Sequence, residues 1–150
     1  MIEIRRAIPS DLEETATLFD LYRQFYHQPA DREGARKFIG ERLKNEDSVI
    51  FLSLSGDATT GFVQLYPIFT SVGMKRSWLL NDLFVLKDFR NQGTARKLIT
   101  HCKEHVRQTH AAGLLLETGK NNVEGNALYP SEDFILQDEV NFYFWQSDKR

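Results

Sequence analysis

The chain has 150 residues, and its 19 Lys and Arg against 21 Asp and Glu give a formal net charge of −2. This composition, 41% hydrophobic and 27% charged, predicts one soluble globular domain over 1–150 and excludes intrinsic disorder, while a pI near 6.1 argues against nucleic-acid binding. The single cysteine excludes a disulfide scaffold and a Cys-rich zinc module. The sequence has neither a signal-peptide run nor a membrane-length apolar run, so we expect a cytoplasmic protein that does not bind membranes.

The first third of the chain predicts one strand followed by two helices. Residues 2–7 alternate apolar and charged side chains, which is typical of a strand with one buried face. Ser10 and Glu13 have the spacing of a capping box, so we expect a helix from Ser10 to about Tyr26. The helical period returns over 35–44 and predicts a second helix.

The middle of the chain predicts three consecutive strands and then a helix. Residues 48–55 and 61–69 are rich in apolar and β-branched residues on either side of a turn, which indicates a hairpin. Residues 78–86 are apolar on both faces, as in a strand at the centre of a covered sheet. An apolar stripe then predicts a helix over 94–108, with the lone cysteine, Cys102, in the core.

The last third predicts a strand, a short helix and a final strand. Residues 114–118 are apolar enough for another buried strand, 124–128 indicate a short helix, and the aromatic run 140–145 indicates a last strand. The expected element order is β-α-α-β-β-β-α-β-α-β. This order predicts a mixed α/β domain. The final aromatic strand could pair across a homodimer.

The strongest local signal is the turn between the third strand of the middle region and the helix after it. A helix start without a capping carboxylate presents free backbone N–H groups at the positive end of its macrodipole, and glycine allows an anion to approach the backbone. A plain strand-to-helix connection is the alternative. The residues of this turn are Arg90, Asn91, Gln92, Gly93, Thr94 and Ala95, with Arg96 and Lys97 beside them.

Two motifs carry a resemblance to a known family. Residues 90–95 match the [RQ]-x-x-G-x-[GA] element of the GNAT acetyltransferases, and residues 122–134 match a second signature of that family, N-x-x-x-x-A-L-Y-x-x-x-x-F. Because residues 4–15 also look like its first strand and helix, the resemblance covers essentially the whole chain. The chain further resembles small stand-alone bacterial members of the family. It implies a central mixed sheet flanked by helices, acetyl-CoA as cosubstrate, and direct acetyl transfer to an amine in a ternary complex.

The chain departs from the family pattern at three positions. Ala95 stands where many members have glycine, a variant that still allows tight packing. After Tyr129 the family usually reads Glu-x-x-Gly-Phe, whereas this chain reads Pro-Ser-Glu-Asp-Phe. Pro130 and Asp133 change the backbone freedom of that turn.

Asp82 is our candidate for the general base. At neutral pH only about one alkyl amine in a few thousand is the nucleophilic free base, so the reaction needs a proton acceptor. Asp82 is a carboxylate within an otherwise apolar strand, where burial should raise its pKa and make it a stronger base, directly or through a water. The alternative is a structural hydrogen-bond network with Asn81 or a loop backbone.

The resemblance assigns the cofactor side of the reaction. It implies that Tyr129 is the general acid, since a phenol of pKa about 10 stays protonated at neutral pH and can donate to the leaving thiolate. It also implies that the backbone of Leu83, Phe84 and Val85 pairs with the pantetheine arm or stabilises the oxyanion. Asn122 either contacts the pantetheine or caps a helix.

The acceptor site should lie along the first two helices and the hairpin strand. Rings with polar tips suit a cationic amine, although aromatic residues at helical spacing more often belong to a core. The candidates are Tyr22, Phe25, Tyr26, Gln64 and Tyr66. Neither a small amine nor a protein amine is favoured by these residues.

Two other features of the sequence bear on its function. His101 and His105 lie four residues apart on a helix, but without a third ligand they indicate a solvated helix face and no metal site. The altered turn at Pro130 and Asp133 leaves open a non-catalytic acyl-CoA-binding module with the same fold.

Overall fold

The computed structural model describes residues 1–148 and divides the chain into two compact units. The first unit spans Met1–Glu117 and the second begins at Thr118. One domain over 1–150 remains a prediction, and each unit is described by itself.

The first unit is built on a five-stranded sheet with the order β1-β2-β3-β4-β5. Its strands are β1 (Ile2–Arg6), β2 (Val49–Ser55), β3 (Ala58–Thr70), β4 (Lys75–Val85) and β5 (Leu114–Leu115). The first four strands are antiparallel neighbours, whereas β5 runs parallel to β4. This mixed sheet, with helices packed on it, confirms the predicted α/β fold class.

Three helices of the first unit cover both faces of the sheet. They are α1 (Leu12–Phe25), α2 (Arg32–Asn45) and α3 (Thr94–Gln108). Ile50 and Phe62 belong to a core cluster that also holds residues of α1 and α2. Phe51 points to the opposite face, as strand alternation requires, and its ring meets His105 of α3 at 5.9 Å. Cys102 is fully buried on α3, as the sequence predicts.

His105 does not lie on a solvated helix face. Its ring is half-buried and lies 4.6 Å from the ring of Trp78 on β4. His101, one turn earlier, is exposed. The expectation of a solvated face was therefore wrong for His105, because aromatic side chains on the sheet cover that side of the helix.

The predicted capping box at Ser10 and Glu13 is also wrong. A 3₁₀ turn over Pro9–Asp11 precedes α1, and Asp11 accepts the Ile8 N–H at 2.8 Å. The Glu13 carboxylate binds two arginines of α2 instead, Arg36 at 2.6 Å and Arg32 at 2.9 Å. Contacts with distant residues outweigh the local capping pattern here.

Two strand predictions in the last third differ from the structure. The strand expected over 114–118 is only Leu114–Leu115, and Leu115 is exposed. The strand expected over 140–145 is not formed within the described residues, and the large apolar side chains of that run are exposed. An apolar run forms a strand only where a neighbouring backbone pairs with it, and no ladder includes these residues.

Within residues 118–148, the described part of the second unit, there is one helix, α4 (Val123–Ser131), followed by an exposed tail. The helix is longer than the predicted 124–128. Among the helices described, none has the length and apolar character needed to cross a bilayer.

Candidate active site

A β-bulge in β4 determines where Asp82 lies. Gln64 of β3 pairs with Asp82, but its neighbour Leu65 pairs with Leu80, so the register skips Asn81. A bulge of this kind leaves one residue unpaired and reorients the side chains beside it. As a result Asp82 lies directly opposite Gln64 and is buried, with 4% of its surface exposed, while Asn81 is exposed.

Both carboxylate oxygens of Asp82 accept hydrogen bonds. Gln64 Nε2 donates to Oδ2 at 2.8 Å, and Asn81 Nδ2 donates to Oδ1 at 3.1 Å. Burial raises the pKa of Asp82, although hydrogen bonds from Gln64, Tyr22 and Asn81 lower it in part. The hydrogen-bond network considered as the structural alternative is thus present, and it surrounds a carboxyl group whose pKa is still raised toward the range useful to a general base.

Gln64 does not line an open wall, in contrast to the expectation for an acceptor residue. Its side chain is fully buried. Its Oε1 accepts the Ser48 hydroxyl hydrogen bond at 2.8 Å, and its Nε2 donates to Asp82. Because a side chain without exposed surface cannot touch an acceptor, any effect of Gln64 on an acceptor must pass through its neighbours, of which Asp82 is one.

Three of the predicted acceptor residues lie together at the C-terminal end of α1, where Tyr26 directly follows the helix. Tyr22 and Tyr26 have ring centroids 5.1 Å apart, and Phe25 and Tyr26 have centroids 5.3 Å apart. Tyr22 also meets Phe84 of β4 at 6.3 Å, and its hydroxyl donates to the Asn81 carbonyl at 3.4 Å. Phe25 and Tyr26 keep about half of their surface exposed, so this cluster offers an accessible aromatic face next to the bulge.

Tyr66, the remaining acceptor candidate, is half-buried on β3 two residues from Gln64. Burial, with the negative charge of Asp82 as the next contribution, raises the pKa of Tyr66 to about 12. The phenol therefore stays neutral at physiological pH and can donate or accept a hydrogen bond.

Arg90 joins the predicted phosphate turn to the aromatic cluster. Its Nε donates to the Val85 carbonyl at 2.7 Å. Its guanidinium carbon lies 5.7 Å from the Phe25 ring and 5.5 Å from the Phe84 ring, which is cation–π distance. The positive charge at this turn is consequently held against the end of β4 and against α1.

The rest of the turn has the features of an anion site. Gly93 precedes α3 with a φ of +80°, a conformation that L side chains rarely adopt, and a Cβ added there would meet nothing within 4 Å. The first turn of α3 has no acidic residue and no side-chain cap. Asn91, Gln92 and Gly93 are exposed, whereas Thr94 is buried and donates to the Phe89 carbonyl at 3.3 Å. Backbone N–H groups at this helix start can therefore meet an anion.

The end of β4 has an unpaired side. Within the described residues β5 pairs with β4 only at Trp78 and Leu79. Backbone N–H groups alternate sides along a strand. Since Leu86 donates to the Thr60 carbonyl on β3 at 2.8 Å, the N–H groups of Val85 and Leu83 point away from β3. The N–H groups of Leu83 and Val85 can therefore pair with an extended ligand on this side, whereas the N–H group of Phe84 points to β3, contrary to the prediction for that residue.

The second unit holds the two other candidates. Asn122 caps α4: its Oδ1 accepts the Gly125 N–H at 3.1 Å, and its Nδ2 donates to the Thr118 hydroxyl at 2.9 Å. Tyr129 is half-buried on α4, and its ring meets Phe134 at 5.7 Å. The capping alternative is thus observed for Asn122, whereas a contact with pantetheine stays a prediction.

The turn after Tyr129 has a left-handed residue that is not glycine. Asp133 adopts a φ of +68°, and the Phe134 N–H donates to the Tyr129 carbonyl at 3.1 Å. Aspartate tolerates this left-handed conformation better than most residues with side chains. Pro130 lies within the last turn of α4, where few backbone bonds remain to be lost.

One residue of the hydrogen-bond network of Gln64 and Asp82 could not be recognised from sequence patterns. Ser48 lies at the entrance to β2, is buried, and bonds to Gln64. A polar residue at the start of an apolar strand is common, and only the strand register shows that it lies near Gln64.

Comparisons with known proteins agree with this geometry. The sequence profile described as Acetyltransferase (GNAT) family matches residues 15–134. The chain is 40% identical over 133 residues to a Bacillus subtilis (strain 168) protein named "Uncharacterized N-acetyltransferase YhfO", and the match covers 89% of each chain. A crystal structure of a probable acetyltransferase superimposes with a TM-score of 0.93 at 35% identity, covering 99% of both chains.

The fold is also found in more distant enzymes. AAC(6')-Iy, in a complex with a bisubstrate analog of CoA, has a TM-score of 0.80 at 19% identity, covering 98% of this chain and 99% of its own. The profile and the Bacillus relative together show that the chain belongs to the GNAT acetyltransferase family, enzymes that use acetyl-CoA as cosubstrate and act on amines.

Proposed function

We propose that this protein is an N-acetyltransferase that transfers the acetyl group of acetyl-CoA directly, in a ternary complex, to a primary amine of a small molecule or a protein. The observation that carries the proposal is Asp82, a buried carboxylate beside a β-bulge, close to where β4 leaves its partner β5. The expected cytoplasmic location and a homodimer paired through residues 140–145 belong to the same proposal.

The turn and the end of β4 fit acetyl-CoA. The exposed turn at Gly93, the uncapped start of α3 and the charge of Arg90 suit its pyrophosphate. The unpaired N–H groups of Leu83 and Val85 suit the amide groups of an extended arm. When bound, acetyl-CoA supplies an acetyl group activated as a thioester. The residues proposed to hold it are Leu83, Val85, Arg90, Asn91, Gln92, Gly93, Thr94, Ala95 and Asn122.

Asp82 is the proposed general base. An alkylammonium acceptor must lose a proton before its nitrogen can attack, and a carboxylate of raised pKa accepts that proton more readily than an ordinary aspartate does. The acceptor would be held through cation–π contacts and hydrogen bonds. The residues proposed to hold it are Tyr22, Phe25 and Tyr26 at the end of α1, and Tyr66 on β3.

Tyr129 is the proposed general acid. A phenol is protonated at neutral pH, so its hydroxyl can donate a proton to a thiolate. The edge-on contact with Phe134 restricts the ring, which supports a defined direction for the hydroxyl.

A second candidate function is a non-catalytic acyl-CoA-binding module. The observation that favours it is the turn next to Tyr129, where Pro130 and Asp133 replace the usual family residues. This candidate keeps the anion site at Gly93 but needs no proton transfer.

One experiment separates the two candidates. Free-thiol release from acetyl-CoA is followed against a panel of polyamines, aminoglycosides, amino acids and peptides. The proposed enzyme turns over with at least one class, whereas a binding module gives none although coenzyme A raises the Tm. A ligand at about 100 times its Kd stabilises a protein by about 2.7 kcal/mol.

Gly93 variants test the anion site in the same assay. Gly93→Glu adds bulk and negative charge, so coenzyme A should no longer raise the Tm. Gly93→Ala is the matched control, because it meets the same backbone strain at φ +80° without the charge. If coenzyme A stabilises both variants as it does the wild type, the turn does not bind the cofactor.

A further inference from the structure

A row of three buried polar side chains crosses three strands beneath the aromatic cluster. The Ser48 hydroxyl at the start of β2 donates to Gln64 Oε1 at 2.8 Å, and Gln64 Nε2 on β3 donates to Asp82 Oδ2 on β4 at 2.8 Å. All three residues are buried. Burying polar groups costs free energy of folding unless each of them is hydrogen-bonded. The hydrogen bonds along the row therefore offset the cost of burying these three side chains.

The ionised form of Asp82 fixes the direction of every bond in the row. A carboxylate can only accept, so the Gln64 amide must present its NH₂ group to Asp82 and its oxygen to the other side. The Ser48 hydroxyl then donates to that oxygen. Rotating the amide by half a turn would oppose two acceptors at Asp82, so the carboxylate disfavours that rotation, and the hydrogen bond from Ser48 holds the amide at its other end.

The two oxygens of Asp82 consequently differ. Oδ2 is bonded within the buried row, while Oδ1 faces the Nδ2 of Asn81, whose side chain is exposed. We propose that Gln64, anchored by Ser48, is a positioning residue that holds Oδ2 and keeps Oδ1 directed to the side from which an acceptor amine delivers its proton. This inference rests on the proposed role of Asp82 as the base.

The proton transfer is balanced by the groups present. The N–H bond of the ammonium breaks, its electron pair stays on nitrogen for attack on the acetyl group, and an O–H bond forms at Oδ1. The hydrogen bond from Gln64 stabilises the carboxylate before this step and is one cause that lowers the pKa of Asp82 against burial. Gln64 therefore keeps Asp82 ionised at a lower pH than burial alone would allow.

Other titratable groups face Asp82 from neighbouring elements. Tyr22 of α1, whose hydroxyl donates to the Asn81 carbonyl, also lowers the pKa of Asp82, and Asp82 in turn raises the pKa of Tyr66 of β3. The charge of Arg42 lowers the pKa of Tyr66, and the charge of Asp47 raises it. Because the pKa of Tyr66 is about 12, this phenol does not titrate in the pH range of the experiment.

The experiment compares Gln64→Leu and Ser48→Ala with the wild type. The acidic limb of kcat/KM should move to higher pH in Gln64→Leu, and the rate near pH 6 should fall by about tenfold, more than the rate near pH 8, because a hydrogen bond to a charged group is lost. Ser48→Ala should change the profile in the same direction but less, and Ser48→Thr, which keeps the hydroxyl, should restore it.

Thr60→Val is the matched control. Thr60 and Ser53 form a buried hydroxyl pair at 2.9 Å between the same strands β2 and β3. Breaking this pair should lower the Tm without moving the acidic limb. A purely structural role for Gln64 would make its variants behave like Thr60→Val, and that result overturns the inference.

A direct titration makes the test independent of turnover. ¹³C-carboxyl labelling of aspartate allows the Asp82 signal to be assigned by its loss in Asp82→Asn. The pH midpoint of the Asp82 titration should be higher in Gln64→Leu and in Ser48→Ala than in the wild type. If it is unchanged in both variants, the inference is overturned even if Asp82 is the base. If Asp82→Asn leaves the rate and its pH profile unchanged, the proposed base itself is wrong, and that outcome is distinct.

Discussion

The two candidates for proton transfer lie in regions that are built very differently. Asp82 belongs to the first unit, where β2, β3 and β4 surround it and each of its oxygens has a side-chain partner. Tyr129 belongs to the second unit, where Gly125 is the only residue of the described range 118–148 that is buried. Long-range contacts therefore define the environment of Asp82, whereas the neighbours described for Tyr129 are close in sequence.

This difference predicts how each region responds to change. A sheet core resists substitution because its side chains are closely packed, so changes there cost much free energy of unfolding. The tail after α4 exposes large apolar side chains, which monomeric proteins seldom expose in a contiguous patch. Substitutions in the tail of an isolated chain should cost little.

The largest expected effect comes from matched phenylalanine deletions. Phe62→Ala removes a fully buried ring from β3 and should lower the free energy of unfolding by about 3–5 kcal/mol. Phe144→Ala removes an exposed ring and should change it by less than about 0.5 kcal/mol. Denaturant unfolding at two protein concentrations measures both. If Phe144→Ala lowers the free energy of unfolding by a comparable amount, and this decrease grows with protein concentration, then the tail packs in a dimer.

A smaller effect is expected for Asp82→Asn. Without the base the rate should fall by about 100-fold near neutral pH, and the deficit should shrink as the pH approaches the acceptor's own pKa, where free amine becomes abundant. Rate–pH profiles with one amine measure this. A profile of unchanged height and shape would place the base elsewhere.

Stability provides the internal control for that variant. Burial raises the pKa of Asp82, so ionising it costs folding free energy, and stability falls as the pH rises through the folded-state pKa. Asn is never charged, so the variant should be no less stable than the wild type above that pKa. Asp20→Asn is the matched comparison: Asp20 is also buried but accepts the Asp31 N–H at 2.9 Å, and its loss should lower the Tm without reshaping the profile.

The smallest effect is expected for Tyr129→Phe. Loss of the hydroxyl should lower kcat by about tenfold or more while the affinity for acetyl-CoA changes little, because the ring and its contact with Phe134 remain. Tyr143→Phe, in the exposed tail, removes a hydroxyl of the same kind and should have no effect. Equal rates for wild type and Tyr129→Phe would exclude the general-acid role.

Local patterns were sufficient for much of the fold and for part of the site. The hydrophobic period predicted α3 and the strand β4, and the glycine turn at Gly93 could be predicted because a helix start and its turn depend on neighbours in sequence. The expected place of this strand at the centre of the sheet was wrong, because β3 is the middle strand and β5 lies beside β4 only at Trp78 and Leu79. Asp82 stood out as a carboxylate within an apolar strand.

Long-range contacts explain what sequence patterns missed. The contact of Ser48 with Gln64 depends on the register of β2 against β3, and the position of Asp82 depends on the bulge at Asn81. Glu13 fits a capping box locally but binds Arg32 and Arg36 across the helix pair. Similarly, the apolar run at 140–145 predicts a strand without saying which backbone would pair with it.

The two tryptophans give each unit an optical probe of its own. Trp78 is buried between β4 and α3, and its indole N–H donates to the Thr109 hydroxyl at 2.9 Å. Trp145 is 83% exposed in the tail. Because water shifts indole emission to longer wavelength and admits dissolved quenchers, the red, quenchable part of the fluorescence comes from the tail and the blue, protected part from the sheet. One emission spectrum can therefore distinguish unfolding of the sheet from covering of the tail.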